Sequence, residues 1–152
     1  NESAEVIDLN KLSHGIFESL TPPDGFKLEA AGLPNVTIEP ARIYTILYQL
    51  IKNAVLHHPD PANGMVTISC EPSDDNFIIS VTDNGSGIKP QYSQKIFEVF
   101  TTLKSKDDLE TTGIGLPIVK KVLEDIGEKI WLDTENDKGT RFKFTLPAKL
   151  NQ

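Results

Sequence analysis

The chain predicts an α+β domain, a sheet layered against helices on one face. Three observations carry that prediction. Residues 40–56 and 117–126 repeat apolar side chains at helical spacing. Residues 65–70, 77–83, 129–134 and 140–146 read as strands bounded by turn formers. Those strands follow one another in pairs joined by hairpin-type connections, so they segregate from the helices.

The first ~25 residues are rich in small polar groups and end in Thr21-Pro22-Pro23-Asp24-Gly25, a lead-in segment before a turn. Residues 26–152 then form the domain proper. Its clearest helix begins at Pro40, a residue suited to the first helical position because its missing N–H would have no partner there. Ile43, Ile46, Leu47, Leu50, Ile51, Ala54 and Val55 form its apolar arc, and Pro59 and Pro61 stop it. In the second strand Phe77, Ile79 and Val81 alternate with Ile78 and Ser80, and residues 71–76 supply a turn. Residues 90–100 predict a short helix with Tyr92, Ile96, Phe97 and Phe100 on its apolar side. Residues 101–112 carry lysines, acids and threonines without periodicity, a loop of functional length. The second strong helix turns Ile118, Val119, Val122, Leu123 and Ile126 inward, and Gly127 caps it.

At 152 residues, with 38% hydrophobic and 24% charged side chains, the chain is long and apolar enough for one packed core. No apolar run reaches the ~20 residues of a membrane helix. The single cysteine, Cys70, cannot close an internal disulfide, which predicts a reducing cytoplasmic setting. A net charge of −7 argues against nucleic acid as a partner. It leaves room for a polyanion such as ATP, whose charge a metal ion and local backbone dipoles can offset.

Three constellations carry chemistry. Asp83-Asn84-Gly85-Ser86-Gly87-Ile88 sits where a strand ends. A carboxylate there can accept a hydrogen bond from the exocyclic amine of adenine, and it would repel the carbonyl that guanine puts in that place. Gly85 and Gly87 allow close backbone approach to a flat ring. Taken by itself the stretch is equally good turn chemistry. Asn53 lies roughly 20° outside one edge of the apolar arc of its helix, with Gln49 and His57 one turn either side. Its amide oxygen on that border suits Mg²⁺, although an ordinary amphipathic boundary explains it as well. Thr111-Thr112-Gly113-Ile114-Gly115-Leu116-Pro117 leads directly into a helix, where free N–H groups and the helix dipole receive phosphate. No lysine follows the second glycine and no third glycine is present, so neither the Walker nor the dinucleotide fingerprint applies. Lys104 and Lys106 could reach phosphate oxygens or stand solvated, and Phe97 and Phe100 could pin the loop or fill the core.

In order and spacing, "LYQLIKNAVLHH", "DNGSGI", "IFEVF", "TTGIGLPIVKK" and "GTRFKFTLP" resemble the asparagine box, first glycine box, phenylalanine box, second glycine box and terminal Gly-Thr motif of sensor histidine kinases. The resemblance runs over nearly the whole chain. It implies the Bergerat ATP-binding fold, a two-layer sandwich with a mixed, mostly antiparallel sheet of about five strands on three helices. It further implies that Asn53 holds Mg²⁺, Asp83 takes the adenine amine and Gly87 lies under the ring. Gly113 and Gly115 would let a lid close over the phosphates, and Thr140 would help bind the adenine end.

Leu56 stands where the family usually carries a lysine or arginine, and Thr111 where a glycine opens the second glycine box. The acceptor histidine is missing, because His14 lacks a following acidic residue and His57 and His58 belong to the nucleotide segment. The resemblance therefore implies a catalytic portion, monomeric alone, that serves a separate helical dimerisation and phosphoacceptor domain. A response regulator would be its indirect partner, and the parent protein would be a homodimer. Gyrase-type ATPases of this fold place a glutamate where Gln49 stands, and a neutral amide cannot act as a general base. An anti-sigma-type serine kinase and a nucleotide-binding pseudokinase remain alternative readings of the same pocket.

Overall fold

A computed structural model of the chain describes residues 3–98, 115–136 and 138–148. β1 (Glu5–Asp8) runs into α1 (Leu9–Ser19), and the Asp8 carboxylate caps that helix by accepting the Lys11 N–H at 3.0 Å. Then follow β2 (Lys27–Ala30), β3 (Asn35–Ile38), α2 (Pro40–Leu56), β4 (Met65–Ser73) and β5 (Asn76–Asp83). After two short 3₁₀ turns come α3 (Gly115–Glu124), β6 (Ile130–Leu132) and β7 (Thr140–Pro147).

The main sheet has five strands in the order β2-β4-β5-β7-β6. β2 is parallel to β4 and every other pairing is antiparallel; β1 and β3 form a separate two-stranded ribbon. Alternation along β4, β5 and β7 turns Val66, Ile68, Ile79, Val81, Phe142 and Phe144 to one buried face. The α2 residues Ile43, Ile46, Leu47, Leu50, Ile51, Ala54 and Val55 are all buried with them, as the helical spacing predicts. α2 is the central helix, packed between α1 and α3 and against β4 and β5. The two-layer α+β architecture expected from the sequence is the one observed.

Three local expectations change. Residues 71–76 are not an open turn: β4 continues through Pro72 to Ser73, opposite Asn76 of β5. The reversal is confined to Asp74 and Asp75, with Asp74 at φ 56. Turn-forming residues at the end of a strand can still pair when the register favours it. The helix predicted over 90–100 is replaced by 3₁₀ turns at Pro90–Tyr92 and Lys95–Phe97, and Phe100 lies outside the described residues. So short a helix is marginal by itself, and burial of both Ile96 and Phe97 decides the local path instead. The segment read as a lead-in contains β1 and α1, with Leu9 and Ile16 in the common core. Ser13, fully buried between them in the helical pattern, interrupts the apolar period and conceals the helix from a hydrophobicity reading.

α3 is helical from Gly115, the first described residue of its segment, and so already before the expected Pro117. The regular helix ends at Glu124, short of the expected Ile126, while the Gly127 cap is as predicted: Gly127 takes φ 76, its N–H bonds Glu124 O at 3.0 Å, and Glu128 N–H bonds Leu123 O at 2.9 Å. That pair of bonds is a Schellman closure.

Candidate nucleotide site

β5 is the middle strand of the main sheet, and Asp83 is its last residue, opposite Val66 of β4 and Thr140 of β7. The chain must turn there, and the Asp83 Oδ1 accepts the Gly85 N–H at 2.8 Å. Gly87 at φ 84 and Gly139 at φ 72 let two backbones meet beside it. A Cβ on Gly87 would stand 2.8 Å from Gly139 O, and one on Gly139 would collide with Asp83 O. This close approach brings the β6–β7 hairpin against the end of β5.

The result is an open cleft of about 630 Å³ between α2, the start of α3, the segment after β5 and the β6–β7 hairpin. Its apolar floor is Leu50, Ala54, Val81, Leu132 and Phe142. Burial pushes the Asp83 carboxyl above its ordinary range; hydrogen bonds from the Gly85 and Thr140 N–H groups and the proximity of His58 pull the other way. A carboxylate held in this way favours a ligand that brings its own N–H donor.

Asn53 reaches the cleft from α2, and its side-chain amide makes no hydrogen bond among the described residues. No three His, Cys, Asp or Glu side chains converge among the described residues. A metal here would therefore depend on one amide oxygen together with waters and ligand phosphates, a donor set that fits Mg²⁺. A Cβ on Gly115 would collide with Gln49 Oε1, so the α3 entry sits directly against α2.

Of the residues singled out in the sequence, Asn53, His57, Asp83, Gly85, Gly87, Ile88, Leu116 and Thr140 line this one cleft. Gly115 adjoins Leu116 at the α3 entry. Phe97 does not line it. The ring is buried and packs edge-on against Phe142 at 6.0 Å, so it supports the floor from behind. Phe100, Lys104, Lys106, Thr112, Gly113 and Ile114 fall outside the described residues. Leu56 is 63% exposed and is not among the lining side chains.

Sequence reasoning missed His58, Lys89, Tyr92, Asp133, Asn136 and Arg141, all of which line the cleft. His58 and Lys89 adjoin the boxes and were open to that inference. Asp133 and Arg141 were not, because hairpin register brings them together, with Arg141 Nη1 3.6 Å from the Asp133 carboxylate.

Residues 38–150 match the family model described as "Histidine kinase-, DNA gyrase B-, and HSP90-like ATPase". The chain belongs to this family. Within it, this is an ATP-binding catalytic domain of the histidine kinase kind. It is 36% identical over 116 residues to cyanobacterial phytochrome A of Nostoc sp., a match covering 76% of this chain and 15% of that protein. It is 32% identical to the phytochrome-like protein Cph1 of Synechocystis sp. (94% of this chain, 19% of that protein). Identity to the sensor histidine kinase WalK of Bacillus subtilis is 33%, over 77% of this chain and 20% of that protein. The domain thus spans a fifth or less of the length of these relatives.

Among solved structures, it resembles full-length ShkA in complex with AMPPNP at a TM-score of 0.78 and 26% identity, covering 97% of this chain and 31% of that one. It resembles the nucleotide-free catalytic domain of histidine kinase ThkA at 0.73 and 27% identity, covering 95% of this chain and 97% of that one. No helix of the described residues is long and apolar enough to cross a membrane.

Proposed function

We propose that this histidine kinase-type domain binds Mg-ATP and hands the γ-phosphate to a histidine on a separate helical dimerisation and acceptor domain. From there the phosphoryl group would pass to a response regulator, within a homodimeric parent protein whose catalytic part works in the cytoplasm. The carrying observation is the half-buried Asp83 carboxylate at the end of the central strand, in the same cleft as the Asn53 amide.

Each residue has a defined task on this reading. Asp83 accepts the adenine amine, and Gly87 admits the ring. The start of α3, whose Leu116 lines the cleft, would receive the phosphates through backbone N–H groups and the helix dipole. Asn53 would hold Mg²⁺, which when bound neutralises charge on the β- and γ-phosphates. Gln49 beside Gly115 offers no base to activate water, so the γ-phosphate survives until an imidazole attacks it. The exposed position of Leu56, off the cleft wall, supports an active kinase over a pseudokinase: the missing cation is not replaced by an obstruction.

The deciding experiment incubates the domain with γ-labelled ATP, with and without a supplied acceptor-helix domain. Label on the acceptor histidine is the expected result. Phosphate release without acceptor would make the domain an ATPase, and binding with neither outcome would make it a pseudokinase.

A further inference from the structure

His58 lies just beyond the end of α2, outside every regular element, yet its ring is held on several sides. Asp60 N–H donates to its Nδ1 at 2.9 Å, which leaves the ring proton on Nε2. Nε2–H then donates to Asn84 Oδ1 at 2.7 Å. Phe26 meets the ring edge-on at 5.5 Å. A Cβ on Gly85 would be 3.5 Å from His58 Cδ2, so the imidazole also lies against the turn that follows Asp83.

Asn84 is the hinge of that turn. Its Oδ1 also accepts Met65 N–H at 2.8 Å, its Nδ2 donates to Asn63 O at 3.0 Å, and its own N–H bonds Met65 O at 3.2 Å. The next residue supplies the N–H that orients the Asp83 carboxylate. Any rotation at Asn84 moves the Gly85 N–H and, with it, the acceptor presented to the ligand.

We propose that His58 is a positioning residue for adenine selection, acting through Asn84 and the Gly85 N–H to hold Asp83 in the orientation that accepts the amine. The inference rests on the reading of Asp83 as that acceptor. Nothing in it requires His58 to touch the nucleotide.

The test compares ATP with inosine triphosphate, which carries a carbonyl in place of the adenine amine. Binding is measured by calorimetry for wild type, His58→Ala, His58→Gln and His58→Asn, with circular dichroism to check folding. A glutamine amide reaches the Nε2 position and keeps the bond to Asn84; an asparagine amide mimics Nδ1 and cannot. Wild type should prefer ATP. His58→Ala and His58→Asn should bind ATP about fivefold more weakly, the loss of one net hydrogen bond, with inosine triphosphate unchanged. His58→Gln should restore the preference.

Equal losses for the two nucleotides, or an unaltered preference in both His58→Ala and His58→Asn, would overturn the proposal and leave His58 as a loop tether. If His58→Ala does not fold, the Gln–Asn pair decides in the same terms. A wild-type domain indifferent to the amine would instead overturn the Asp83 reading and this inference together.

Discussion

At the scale of single residues, Asp83 combines two demands that pull against each other. Burial raises its carboxyl above the ordinary value of 3.8, while the proposed recognition of adenine needs a good acceptor. A group raised in the folded state stabilises the fold fully below its unfolded pKa and loses that contribution as pH rises through the folded value. Asn carries no such titration and keeps an oxygen for the Gly85 N–H. Replacing Asp83 with Asn should therefore leave the fold intact, with relative stability improving from acid toward neutral pH in urea melts. The same variant should bind ATP roughly 10- to 100-fold more weakly, as expected for a hydrogen bond to a charged group. Undiminished affinity in calorimetry would remove Asp83 from the site. Asn53 makes the complementary prediction. Asn53→Ala should abolish Mg²⁺-dependent transfer to a supplied acceptor while metal-free nucleotide binding persists, and wild-type transfer by this variant would refute the metal assignment.

At the scale of elements, the cleft exists because a hairpin leans on the end of a strand. Gly139 at φ 72 sits so near Asp83 O that no side chain fits, and the obstacle is backbone rather than a flexible side-chain tip. Gly139→Ala should thus cost about 1–3 kcal/mol in strain and lower both the melting temperature and ATP affinity. A variant that melts and binds like wild type would show that the hairpin moves freely relative to β5. α2 was legible in every particular, because its seven apolar residues fall on one arc and all seven are buried. α1 was not, because Ser13 occupies a core position without an apolar side chain to announce it. The 3₁₀ turns near Phe97 were misread for the opposite reason, since their apolar residues suggested a helix that burial did not require.

At the scale of the molecule, the positions of the three histidines argue against self-phosphorylation of this chain. His14 sits on α1 with Nε2 3.0 Å from Ala30 O, and His57 and His58 line the cleft itself. Incubated alone with labelled ATP, the domain should acquire no acid-labile label; such a label on any of the three would show that its acceptor lies within. The order of the boxes along the chain was enough to join Asn53, Asp83 and Leu116 in one site, and the cleft does join them.

Periodicity by itself determined the central helix, the paired strands and the layering, because burial on one face leaves a repeat that depends only on neighbours in the chain. The residue order likewise singled out Asp83 and Asn53 as candidate ligand-binding groups, and both line the one cleft. Only the tertiary structure decided which groups surround them in the cleft. The His58–Asn84 bond spans 26 positions, and Arg141 meets Asp133 through strand register. Contacts of that kind leave no local period, because the backbone path between the partners, rather than their spacing, brings them together.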